Sequence, residues 1–199
     1  MTEKVRVPPG QHVTRGFPVL HHGEVPALDP GRWRLTIFGL VEEPLTLDYA
    51  AVRALPASRV GADVHCVTGW SKLDNTWEGV RTRDLMARVR VKPAARFVLV
   101  HAAPGFTTNL PLDDFLHPDV LLAWGHNDAP LAPEHGWPLR LVVPHLYFWK
   151  SAKWLEGIEL TDEDRPGFWE QEGYHMRGDP WEPRNRYRVY PPGKDPWRV

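Results

Sequence analysis

Residues 59–71 read Arg59-Val60-Gly61-Ala62-Asp63-Val64-His65-Cys66-Val67-Thr68-Gly69-Trp70-Ser71. Val60, Ala62, Val64 and Cys66 fall at every second position, the period of a strand with one apolar face. The predicted strand covers residues 59–67 and runs into a loop of small residues around Thr68-Gly69. A cysteine at such a junction has its backbone fixed by a sheet and its thiol beside a loop, where it can face a pocket. A lone cysteine is more often a small buried apolar side chain. The other reading is a Cys–His nucleophile. His65 is adjacent, but neighbouring strand residues point to opposite faces, so another histidine would have to arrive through the fold.

The rest of the chain narrows the choice by exclusion. Cys66 is the one cysteine among 199 residues, so no intrachain disulfide forms. Zinc sites built on two or more thiolates are ruled out as well. Lys+Arg 24 against Asp+Glu 25 leaves a net charge of −1, which argues against nucleic-acid binding through a broad basic field. Sixteen glycines and 21 prolines make about 19% of the chain, above the usual ~12%. That composition favours short strands and ordered loops over long helices. No apolar run approaches the ~18 residues that span a bilayer. The first residues, Met1 to Gln11, carry neither an apolar signal core nor a twin arginine, so the cytoplasm is the expected compartment.

The expected architecture is α+β, with a β-rich mixed-sheet core and short helices. Strands are predicted over residues 33–38, 59–67, 97–100, 121–124, 139–143 and 154–160, with an extended segment at 107–110. Short helices are predicted over 48–55, over 82–89 with Thr82 as cap, and over 111–116. Residues 70–79 read as a loop, and Asn127-Asp128 as a hairpin turn. The length suits a single domain, 1–199, with an ordered arm at 1–30 and a tail at 162–199 packed on it.

A second anchor lies at His135-Gly136-Trp137-Pro138-Leu139-Arg140-Leu141-Val142-Val143-Pro144, followed by Lys150-Ser151-Ala152-Lys153-Trp154-Leu155. A Gly/Pro loop feeding a strand that starts with arginine, then two lysines around a small pair, suits an anion-binding loop. His21-His22, His126, His145 and His175 are scattered and read as structural or surface residues. His145 and Tyr147 are candidates for the pocket wall.

Taken in order, these segments, with Trp77-Glu78-Gly79-Val80, Leu121-Leu122-Ala123 and Pro130-Leu131, resemble the molybdopterin-binding domain of the sulfite oxidase family. The likeness runs from about Thr14 to about Tyr174. Its Cys-Val-x-x-Trp-Ser and Trp-x-Gly forms look closer to the bacterial methionine-sulfoxide reductase catalytic subunit than to animal sulfite oxidases. The resemblance implies a molybdenum–molybdopterin cofactor with Cys66 as the protein thiolate on the metal. A soft thiolate suits a metal that cycles between oxidation states, and the cofactor's dithiolene would supply further sulfurs. Arg140 and Lys153 take the family's phosphate-binding positions. Cofactor contacts are further implied at Arg15, Pro18, Val19, His101, Ala102, His135, Ser151 and Ala152.

Two departures qualify what the resemblance implies. Phe106 stands where the active-site tyrosine is expected, and the arginine-rich run after the cysteine is missing. Arg15 is then the expected anchor for an anionic substrate. The implied activity is oxygen-atom transfer on a small sulfur or nitrogen oxide. With no segment for a haem domain or the family's dimerisation domain, electrons are expected to pass to a separate redox protein. Alternatives are a non-catalytic molybdopterin-binding module, motivated by Phe106, or a cofactor-free cysteine hydrolase with a low thiol pKa.

Overall fold

The computed structural model describes residues 5–187. Residues 1–4 of the expected arm and 188–199 of the expected tail lie outside the described residues. The strands, in chain order, are β1 (His12–Val13), β2 (Arg34–Gly39), β3 (Leu45–Asp48), β4 (Ser58–His65), β5 (Trp70–Arg81), β6 (Phe97–Ala102), β7 (Phe106–Pro111), β8 (Leu121–His126), β9 (Ala129–Pro130), β10 (Arg140–Val142) and β11 (Leu155–Thr161). The helices are short: α1 (Tyr49–Arg53), α2 (Thr82–Met86), α3 (Leu112–Phe115) and α4 (Phe168–Gln171). Among the described residues no helix is long and apolar enough to cross a membrane.

The strands form two mixed sheets. One has the order β1-β5-β8-β10, with β4 on β5 and β9 on β8; the other runs β3-β2-β11-β6-β7. Parallel pairs (β1 with β5, β11 with β2) sit among antiparallel ones. The architecture is the sheet-rich one with few short helices that the sequence predicts.

Alternation divides the buried side chains into two cores. Leu35 and Ile37 of β2, Val98 and Val100 of β6, and Ile158 of β11 face Val80 of β5, Leu122 and Trp124 of β8, and Leu141 of β10 between the sheets. Each fully buried Leu or Ile contributes about 1.5–3 kcal/mol. The alternate residues of the same strands, Trp77, Leu121, Ala123 and Val142, form a second core on the other face of the six-stranded sheet. Cys66 and Trp70 belong to this second core, with Phe17, Trp137 and Phe148 packed over it. Arg140 has the parity of Val142, so its side chain leaves β10 toward this outer face.

Three local expectations are corrected. Residues 70–79 belong to β5, the longest strand, which pairs with β4 on one side and β8 on the other. Its Ser, Asp, Asn and Gly content lowers strand propensity, and cross-strand pairing overrides that. Asn75 satisfies the bulged stretch by donating to the carbonyls of Ala62 and Lys72. The predicted strand at 59–67 ends at His65, because the hairpin reverses at Cys66–Gly69. Thr82 does not cap α2; the cap is Arg81, and the Thr82 hydroxyl donates to the Phe115 and Val120 carbonyls.

The described tail lies against β7 and the loop after β10. Asn109 donates to Asp164, Tyr147 N–H to the Gly178 carbonyl, and Arg177 pairs with Asp114 at 2.8 Å. Gly167 permits the approach: a Cβ there would lie 2.5 Å from Thr108 Cα.

Candidate active site

The hairpin between β4 and β5 places the thiol. Cys66 N–H donates to the Trp70 carbonyl at 2.8 Å, and Gly69 N–H to the Cys66 carbonyl at 2.9 Å. Gln11 from the arm donates to that same carbonyl. The Thr68 hydroxyl donates to Cys66 Sγ at 3.2 Å. Burial pushes the thiol pKa up, and the Thr68 hydroxyl and nearby backbone N–H groups draw it part of the way back, as does Arg186. His65 lies on the opposite face and is hydrogen-bonded through Nδ1 to Ser71 Oγ at 2.9 Å, so it is not the base of a thiol nucleophile.

Cys66 opens onto a cavity of about 350 Å³, within the range of small-molecule sites. Pro18, His135, Arg140, Ser151, Ala152 and Lys153 line it together with Cys66. The remaining predicted contacts do not line it. Arg15 and Val19 are exposed, because the arm turns Phe17 and Pro18 inward and their neighbours outward. Ala102 faces the core between the sheets, and the cavity takes Ala103 instead. His101 bonds Glu159 at 2.9 Å. His145 is held by Asp114, while Tyr147 stacks on Trp149. His21 and His22, read as surface residues, line the cavity mouth.

The part of the cavity lined by Arg140 and Lys153 is cationic and lies against the chain's arm. Arg140 is 1% exposed, and its guanidinium donates to the carbonyls of His135 (2.9 Å) and Ser151 (2.8 Å). It lies over the Phe148 ring at 4.5 Å. No carboxylate among the described residues offsets it, and burial lowers its pKa to about 9. Lys153 donates to the Leu20 and Glu134 carbonyls, and its pKa falls to about 7 through burial, with Arg140 adding to the shift. His135 stacks flat on Phe17 at 4.1 Å, and its buried Nδ1 has no hydrogen-bond partner among the described residues.

Backbone conformation brings these groups together. Gly136 has φ +109, and a Cβ there would sit 3.0 Å from Arg140 Cβ and 3.1 Å from Lys153 Cβ. Trp154 adopts φ +55, a costly conformation for an aromatic residue, and turns the chain directly after Lys153. Lys150 is a correction to the predicted anion loop. It points inward, is fully buried, and pairs with Glu170 Oε1 at 2.6 Å.

The sequence points to the tail run Gly167-Phe168-Trp169-Glu170 and Gly173-Tyr174-His175 as a cover for the site mouth, and the tail does contribute to the wall. Trp169 and Tyr174 both line the cavity. Tyr174 packs on Trp149, Trp169 and Tyr187 at 5.1–5.4 Å. Its phenol hydroxyl is hydrogen-bonded to Tyr187, and Phe106 lies in the same wall. Arg186 comes close enough to affect the Cys66 thiol, and its Nε is buried without a partner among the described residues. A sequence signal existed in the aromatic run Phe168-Trp169 and Gly173-Tyr174, but the fold alone shows which residues it meets.

The fold and this cavity define a cofactor-binding oxidoreductase domain, and residues 22–169 match the oxidoreductase molybdopterin binding domain family. The chain belongs to that family. It is 58% identical to the uncharacterized oxidoreductase YuiH of Bacillus subtilis (strain 168), over 89% of this chain and 90% of that protein. It is 30% identical to the protein-methionine-sulfoxide reductase catalytic subunit MsrP of Ralstonia nicotianae, over 71% of this chain and 47% of the relative. The sulfane dehydrogenase SoxCD from Paracoccus pantotrophus superposes with a TM-score of 0.68 at 25% identity, covering 77% of this chain and 43% of that one. The chain thus spans nearly all of YuiH and less than half of the other two.

Proposed function

We propose that this protein binds a molybdenum–molybdopterin cofactor in the cavity and catalyses oxygen-atom transfer on a small sulfur or nitrogen oxide. The observation that carries the reading is Arg140. A buried guanidinium with no carboxylate partner among the described residues calls for an anion, and it lines the same cavity as the chain's one thiol. The donor set fits the group on three counts. Arg140 and Lys153 suit a phosphate. The unpartnered Nδ1 of His135 suits a polar ring atom. One soft thiolate suits a metal whose remaining ligands come with the cofactor. Among the described residues no group of three or more His, Cys, Asp or Glu is placed to hold a metal alone.

When bound, the group supplies the two-electron change and the oxygen exchange. The chain's part is to hold and shield it. Cys66 is the thiolate ligand, steadied by Thr68. Arg140, Lys153 and His135 hold the anionic end, and the Ser151-Ala152 backbone borders it. Phe17, Phe106, Phe148, Trp169 and Tyr174 wall the cavity and keep water from it. Reduction of a sulfoxide consumes two electrons and two protons and releases the sulfide and water. The electrons come from a separate redox protein. The raised thiol pKa and the engagement of His65 with Ser71 weigh against a metal-free hydrolase.

The test is protein made in a molybdenum-competent host. The expected result is bound molybdenum and dye-coupled turnover, with a reduced viologen on methionine sulfoxide or trimethylamine N-oxide or with ferricyanide on sulfite. Cys66→Ser should lose that turnover. Absence of molybdenum, or an undiminished Cys66→Ser, overturns the reading.

A further inference from the structure

Trp70 is 7% exposed, lines the cavity, and carries an indole N–H that has no hydrogen-bond partner among the described residues. Leaving such a donor buried and unpaired costs about 1–3 kcal/mol. Two other indoles of the cavity wall are satisfied by protein: Trp149 donates to Glu170 at 2.7 Å and Trp154 to the Pro133 carbonyl at 2.8 Å. Trp77 also lacks a partner, but it is fully buried beneath Arg140 and outside the cavity wall. Trp70 differs from all three in its relation to the thiol. It pairs with Cys66 across the hairpin through the Cys66 N–H to Trp70 carbonyl bond, and opposed residues of a hairpin send their side chains to the same face. Phe148 closes its other side, edge-on at 6.2 Å.

We propose that the Trp70 N–H donates a hydrogen bond to an anionic acceptor of the molybdenum group held at Cys66, and so sets that group's reduction potential. The inference rests on the cofactor reading above. Reduction adds negative charge to the centre, and a fixed donor stabilises the reduced form. Removing the donor therefore lowers the potential. Trp70 acts through the cofactor and is a positioning and tuning residue.

The test uses the molybdenum-loaded protein with nitrogen-15 in its tryptophans. Pulsed paramagnetic resonance of the half-reduced metal should show a tryptophan nitrogen coupling in the wild type that is lost in Trp70→Phe. A redox titration should give a lower midpoint potential for Trp70→Phe at wild-type molybdenum content. Trp70→His, which keeps a ring N–H, should move the potential back toward the wild-type value. A wild type with bound molybdenum but no tryptophan coupling overturns the proposal. So does a coupling that persists unchanged in Trp70→Phe. A wild type that binds no molybdenum removes the cofactor reading itself, and that failure is seen before any variant is made.

Discussion

Lys150 and Arg140 are both removed from water, yet the protein satisfies them differently. Lys150 donates to the Asn109 carbonyl, Asn109 Oδ1 and the Met176 carbonyl, and pairs with Glu170 at 2.6 Å. Every strong interaction it needs is internal, and the pair ties the tail to β7. Arg140 has three carbonyls and two aromatic faces but no counter-charge among the described residues. Burial of a cation is tolerated when an anion arrives with it. One buried cation belongs to the scaffold, and the other belongs to a ligand.

The sharpest way to break this contrast is to remove each pair's key member. Glu170→Gln strands Lys150 and should cost about 3–5 kcal/mol in a denaturant titration. Arg140→Met in the cofactor-free protein should cost far less, since the charge it removes has no carboxylate to lose. Equal losses would contradict the comparison. Gly136→Ala should cost on the order of 1 kcal/mol for its positive φ, and in addition press Arg140 and Lys153 apart. Its melting shift should be small, while its loss of bound cofactor is larger.

The smallest effect is a pH dependence. Lys153 has a pKa near 7 in the fold, so below pH 7 it is charged and ready for an anion. Above pH 7 it must take up a proton for an anion to gain from it, and anion affinity falls. Inorganic phosphate should therefore raise the melting temperature of the cofactor-free protein more at pH 6 than at pH 8.5. For the free protein the sign is opposite. The unfolded lysine, near 10.5, holds a proton that the folded one has lost, so the penalty this group sets on folding is full below pH 7 and is relieved between pH 7 and 10.5. Equal phosphate effects at both pH values would show that Lys153 does not meet the anion.

Much of this arrangement is legible in the sequence. Alternation in residues 59–66 and 139–143 assigns the strands and sends Cys66 to their outer face with Arg140. The Asn127-Asp128 turn joins β8 to β9, with φ of 49 and 64 at the two residues. Other features depend on contacts far along the chain. β5 looks like a loop until β4 and β8 flank it. Lys150 and Lys153 are three residues apart and indistinguishable by type, and only the arrival of Glu170 from the tail commits Lys150 to the interior. Arg15 is expected as the substrate's cation from the resemblance and the missing arginine run, and the arm has no period that would show Arg15 turning outward. Tyr174 lies 108 residues beyond Cys66; the aromatic run of the tail marks it as a cover for the site, but only the fold shows which wall residues it meets.

The central claim is that Arg140 is held without a counter-charge among the described residues because the cofactor brings one. Molybdenum and pterin content of wild type and Arg140→Met, purified side by side from a molybdenum-competent host, tests it directly. The account predicts molybdenum and pterin in equal amounts in the wild type, and loss of both in a folded Arg140→Met. An Arg140→Met protein that retains the full complement of both would contradict it.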